Sequence, residues 1–303
     1  MIIKMPSYEM KIIESKSKII NIGKNINVLD LNSFKELYRL NSLICPYYVA
    51  VSDDEKYFAC SDTSGNIVVH DLKTGKLILK NKGMSCEGGN IYFLKDNVVS
   101  ISWNGEIFSL DVNKNICNIL LETDLCCYNM HIIKDRILLI NHILYRNKTN
   151  IYQVKLNENK ATLDLIFESN EYTVYNTSCY FNDRECYFFA RKEKYFNRYD
   201  YIVKIDFESN KMEKILDIKN MLNRNFMKKI SDLNDFVDMI LIENRRQMIL
   251  AYRRNIFFID LLENKIINNL EFEDITSINI VRDEVLIIAT EEVVQVLNLN
   301  GLL

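Results

Sequence analysis

The chain has 303 residues, 48% of them hydrophobic, and a formal net charge of −3. So mild a charge excludes a global field that would draw the chain to nucleic acid or a membrane surface. No run approaches the roughly 18 apolar residues of a spanning helix, and the apolar stretch at residues 1–11 is too short for a secretory signal. The expectation is therefore a cytoplasmic chain. Its eight cysteines include no CxxC pair, and they read as reduced, buried, small hydrophobes.

In chain order the first apolar segment is a short strand at residues 2–5. Seven groups of short apolar runs separated by turns follow, at residues 9–40, 47–80, 90–121, 128–167, 173–216, 236–272 and 275–299. The second group is the most regular. Its turns fall at Asp62-Thr63-Ser64-Gly65 and Lys73-Thr74-Gly75, residue types that favour tight reversals. Aligning the groups on the end of the third strand gives Asp30, Asp71, Asp111, Lys155, Asp206, Asp260 and Asn298, with spacings of 41, 40, 44, 51, 54 and 38 residues. A four-stranded propeller blade repeats every 40–45 residues or so.

The seventh group supplies only three strands, and the segment at residues 2–5 is spare. The pattern predicts an all-β, seven-bladed β-propeller of four-stranded antiparallel blades, one domain over residues 1–303. The N-terminal strand would complete the last blade and close the ring. Closure removes exposed sheet edges. A pair of sandwiches or a solenoid of hairpins explains neither the period nor the spare strand. Two stretches carry helical signals, residues 30–40 and residues 218–233, the latter with Met221, Leu222, Phe226 and Ile230 on one face.

The stretch Ser61-Asp62-Thr63-Ser64-Gly65-Asn66-Ile67-Val68-Val69-His70-Asp71-Leu72 resembles a WD40 repeat: a hairpin turn, an apolar strand, then an aromatic-Asp pair with His70 in the tryptophan position. The resemblance implies a seven-bladed ring used mainly as a platform for partners. The recurrent aspartate, present at five of the seven aligned positions, is expected to cap turn amides rather than to act in catalysis, since a group repeated from blade to blade has no single site.

No catalytic, cofactor or metal motif appears. There are three histidines, and none stands at zinc-ligand spacing. The informative asymmetry lies in the connections. The early blades have tight turns, whereas residues 142–149, 191–199 and 218–233 read as long excursions opening on one face. They gather Tyr145, Arg146, Lys148, Arg191, Lys192, Lys194, Tyr195, Arg198, Phe226, Lys228 and Lys229, joined by Arg253, Arg254 and the lone tryptophan, Trp103. Arginine and aromatic side chains on loops are favoured interface residues. The expectation is a non-enzymatic protein-interaction module, a scaffold or an inhibitory binder, using this basic-aromatic surface on blades 4–6 for a protein partner with an acidic surface. It needs no cofactor and is monomeric outside its complex. Two alternatives stand beside it: a lyase or hydrolase with a site at the channel mouth, and a nucleic-acid-binding propeller.

Overall fold

A computed structural model describes residues 1–82, 88–102, 104–125, 129–133, 136–143, 148–157, 160–181, 185–194, 197–209, 211–218, 220–221, 236–242, 246–252, 254–300 and 302; within these, side chains at 88, 129–133, 136, 142–143, 175–181, 185, 193–194 and 197–198 are left aside. The strands form seven four-stranded sheets. Blade 1 is β2 (Glu9–Ile13), β3 (Lys18–Ile22), β4 (Ile26–Asp30) and β5 (Glu36–Leu40). Blade 2 is β6 (Pro46–Val51), β7 (Tyr57–Asp62), β8 (Asn66–Asp71) and β9 (Leu77–Lys82). Blade 3 is β10 (Gly88–Leu94), β11 (Asn97–Ser102), β12 (Glu106–Asp111) and β13 (Ile116–Glu122). Blade 4 is β14 (Asn129–Ile133), β15 (Arg136–Ile143), β16 (Lys148–Asn157) and β17 (Lys160–Ser169). Blade 5 is β18 (Thr173–Phe181), β19 (Glu185–Lys194), β20 (Asn197–Asp206) and β21 (Lys211–Asp217). Blade 6 is β22 (Phe236–Ile242), β23 (Gln247–Tyr252), β24 (Asn255–Asp260) and β25 (Lys265–Glu271).

Blade 7 is β26 (Ile275–Val281), β27 (Val285–Thr290) and β28 (Val293–Asn298), with β1 (Ile2–Lys4) as its outer strand. The chain is a seven-bladed propeller, and the spare N-terminal strand closes it. β1 runs antiparallel to β28, with Ile2 opposite Gln295 and Lys4 opposite Val293. The Met1 amino group and carbonyl add two bonds to Val296, at 3.0 and 2.9 Å. β1 buries little side chain, so its contribution is mostly this ladder, at roughly 1 kcal/mol net per bond. Removing residues 1–4 is expected to cost about 2–3 kcal/mol, read as a lower urea midpoint; an unchanged midpoint would show that the closure is dispensable.

The second and third strands of the blades read as continuous apolar runs, YFAC in β7, IVV in β8, MILAY in β23 and IFFI in β24, because both of their faces are covered. In β7 the Phe58 and Cys60 side chains pack toward blade 1, while Ala59 packs toward blade 3. Fourth strands such as β5 and β13 are mostly exposed. The stretch that ends the first group, which could be read as strand or as a short helix, is strand: residues 36–40 form β5, since their apolar positions serve a strand lying against β4.

Two compact units can be distinguished. One holds Met5–Asn141 and Ile151–Leu165; the other holds Met1–Lys4, His142–Asn150 and Ile166–Leu303. In the first, apolar clusters lie between blades 1 and 2, 2 and 3, and 3 and 4. In the second they lie between blades 5 and 6 and blades 6 and 7.

The recurrent aspartate does what its spacing implies. Asp30 and Asp71 each accept from the backbone N–H and the hydroxyl three residues on, Ser33 and Thr74. Asp111 accepts from Asn113 and Lys114, Asp206 from Glu208 and Ser209, and Asp260 from Leu262 and Glu263. Four residues beyond the aspartate the chain turns left-handed at Phe34, Gly75, Asn115 and Asn264. Gly75 suits the turn on two counts: its φ is +73°, and an added Cβ would lie 2.8 Å from the Tyr38 ring. His70 is buried, stacks on Phe58 and donates from Nδ1 to the Gly75 carbonyl, which leaves Nε2 to accept from Ser42 Oγ at 2.9 Å. Burial lowers its pKa, and a neutral ring satisfied on both nitrogens is a packing residue.

Candidate functional site

Blade 5 departs from the repeat. β19 and β20 have ten residues each, against six in β7, β8, β23 and β24. They pair without a break from Glu185 opposite Asp206 to Lys194 opposite Asn197. The described pairing of β18 with β19 reaches only Thr173–Arg191, and that of β21 with β20 only Tyr201–Asp217. Three cross-strand pairs, Lys192–Tyr199, Glu193–Arg198 and Lys194–Asn197, therefore continue past the four-stranded rows as a two-stranded ribbon. The expected loop at residues 191–199 is thus corrected: its described residues are strand. A strand pair that runs past its packed sheet can carry charged residues, so charge content alone misreads it as loop.

The base of the ribbon is a buried ion pair. Arg191 is 6% exposed and Asp200 4%. Arg191 Nε donates to Asp200 Oδ1 at 2.6 Å and Nη2 to Oδ2 at 3.1 Å, a two-pronged pairing that a planar guanidinium favours. The guanidinium lies 5.7 Å from the centre of the Phe189 ring. Phe189 stacks on Phe236 at 4.0 Å, and Tyr252 meets both edge-on. The Tyr252 hydroxyl is buried with no hydrogen-bond partner among the described residues; burial, and then the Asp200 charge, push its pKa well up, against a smaller pull from Arg191. Arg191 is therefore corrected from an exposed contact residue to an internal one.

The other cations are placed as follows. Lys192 Nζ pairs with Glu171 Oε1 at 2.7 Å and lies 5.4 Å from the Tyr172 ring centre. The Lys192 hydrogen bond holds the Glu171 carboxyl below its usual value, and burial, then the Glu171 charge, push the Tyr172 phenol up to about 12. Lys148 pairs with Glu168 at 2.6 Å. Arg254 is exposed in the turn between β23 and β24 and makes no ion pair among the described residues. Lys194 and Arg198 are placed by backbone position on the ribbon. Trp103, Tyr145, Arg146, Tyr195, Phe226, Lys228, Lys229 and Arg253 lie outside the described residues, as does most of the expected helix at residues 218–233, of which 218, 220 and 221 are helical.

The surface is thus less basic than its composition implies. Glu168 and Glu171, which precede β18, offset two of its lysines, and sequence reasoning missed both. Their signal was weak, because strand pairing and not chain proximity brings them beside β16 and β19. Among the large exposed apolar side chains of blades 1 and 2, sequence reasoning also missed Tyr8, Ile44 and Tyr47. Among the described residues no group of three or more His, Cys, Asp or Glu is placed to hold a metal ion, and no helix is long and apolar enough to cross a membrane.

No protein-family model matches the chain, and no curated protein matches it. Solved structures do match over nearly the full length. A Kuenenia stuttgartiensis hydrazine synthase chain aligns with a TM-score of 0.76 at 11% identity, covering 97% of this chain and 96% of that one. The β-propeller domain of Myceliophteria thermophila Cps50 (Swd1) aligns with a TM-score of 0.73 at 10% identity, covering 98% of each. The computationally designed Ika8 protein aligns with a TM-score of 0.66 at 9% identity, covering 97% of this chain and 96% of that one. At such identities the likeness establishes the fold alone, a seven-bladed β-propeller.

Proposed function

We propose that the chain is a non-enzymatic protein-interaction module of the cytoplasm whose partner surface centres on the β19–β20 ribbon and the neighbouring turns of blades 4–6. One observation carries the reading: blade 5 extends its central hairpin beyond its own sheet and fixes that extension with a buried two-pronged ion pair. A ribbon that continues past its four-stranded sheet is suited to contacting something else. Lys194, Arg198 and Arg254, together with whatever charge Lys192 keeps beside Glu171, favour a partner with an acidic surface. The hydrazine synthase and designed-protein neighbours show that the fold alone does not choose between catalysis and binding, so the site has to carry the choice.

The test is affinity capture with wild type and with a Lys192→Glu, Lys194→Glu, Arg198→Glu, Arg254→Glu variant. Arg191 is left intact because its loss would unfold the ribbon's base. The variant is expected to keep the wild-type unfolding midpoint and to lose its partner at least tenfold. Equal recovery would remove the function from this surface. A bound nucleic acid, with affinity falling steeply as salt rises, would replace the protein partner.

A further inference from the structure

We infer a second docking surface, on blades 1 and 2, for an extended segment of a partner protein that carries an apolar anchor flanked by aspartate or glutamate. The register defines the surface. Glu9 lies opposite Ile22, Ile22 opposite Ile26, and Ile26 opposite Leu40, so the start of β2, the turn at residues 23–25 and the end of β5 share one end of blade 1. Pro46 lies opposite Asp62 and Asn66 opposite Lys82, which defines the matching end of blade 2. The inner strands β2 and β6 are neighbours. Tyr8, Ile44 and Tyr47 all fall at this end, 42%, 83% and 44% exposed.

These side chains are held out by construction. The ladder shifts between Pro46 and Tyr48, which makes Tyr47 the extra residue of a β-bulge, and bulges re-aim side chains. Ile44 sits in a short connection pinned on both sides. Leu43 is in the core between blades 1 and 2, and Pro46 is buried. Ser42 bonds His70 through its hydroxyl and accepts from Lys80 Nζ at 3.0 Å through its carbonyl. A rigid loop presenting an aliphatic side chain to water lowers the ordering cost of binding, and Ile with two Tyr is anchor chemistry.

The rim is mostly basic. At this end Lys24, Lys80 and Lys82 are exposed. Arg39 is neutralised by Glu36. The carboxylate of Asp62 is buried and accepts from Ser64 and Asn66 of its own turn, while Glu9 is half-buried. Apolar anchors inside a lysine rim fit an apolar segment with acidic flanks.

The probe is a library of random dodecapeptides displayed on phage, followed by anisotropy with the recovered peptides. Ile44→Asp changes a side chain that touches little, so its unfolding midpoint should match wild type. The expected result is enrichment of peptides with aromatic or aliphatic residues among Asp and Glu, binding at least tenfold weaker to Ile44→Asp and unchanged on Lys192→Glu/Arg254→Glu. The last arm separates this surface from the blade 4–6 surface. No enrichment, peptides without negative charge, or equal binding to Ile44→Asp would overturn the inference. So would self-association in sedimentation that Ile44→Asp abolishes, since a second copy would then be the occupant.

Discussion

Arg191→Ala is expected to destabilise the protein by about 3–5 kcal/mol, while Arg191→Met combined with Asp200→Leu should cost far less. The single change leaves the Asp200 carboxylate at 4% exposure without its guanidinium. A buried charge stripped of its partner bears its full desolvation cost, and loss of the Phe189 contact adds a packing term. The double replacement removes both charges together and fills similar volume with apolar groups. The unpaired Asp200 carboxyl would be forced upward in pKa, so Arg191→Ala should regain part of its stability as pH falls toward 5. Chemical unfolding of wild type, both single variants and the double variant gives the coupling directly. Additive losses would mean that the pair is not coupled, and the ribbon would then need another explanation for its fixed base.

The same pair shows what a sequence reading can and cannot reach. The period, the seven recurring strand ends and the spare N-terminal strand were legible because each follows from local rules: apolar runs of strand length, Asp-led turns and an odd strand count. Asp30, Asp71, Asp111, Asp206 and Asp260 cap turns within three residues, so their role is written locally. The role of Arg191 is not local. Its partner is nine residues away across a hairpin, and its burial depends on Phe189, Phe236 and Tyr252 from two blades. Polarity made residues 191–199 look like a loop, whereas those of them that are described are strand. Likewise Glu168 and Glu171 cancel lysines that look free in sequence. Exposure of Ile44 was equally hidden, since an isoleucine flanked by Leu43 and Cys45 does not show in sequence which of its neighbours is buried.

Asp238→Asn is expected to stabilise the protein by about 2–3 kcal/mol at pH 8 and to leave it nearly unchanged at pH 4. In β22 the ladder shifts between Phe236 and Asp238, and the Asp238 carboxyl accepts from the Met239 N–H at 2.8 Å. It also accepts from the backbone N–H of Ile278 on β26 of the next blade, so one side chain ties blades 6 and 7 together. Burial pushes this carboxyl up from 3.8 to about 7, and the two backbone donors oppose the rise. Between these values the folded chain keeps a proton that the unfolded chain has released. Stability from this group is therefore complete below about pH 4 and is lost as pH rises toward 7. The full shift of about three units would amount to about 4 kcal/mol, and partial exposure of the side chain reduces it. An asparagine keeps the accepting oxygen for both N–H groups and does not titrate. Urea midpoints across pH 4–8 should show wild type falling relative to the variant. Parallel curves would mean that Asp238 is ionised in the fold at neutral pH and that a cation, not burial, sets its charge.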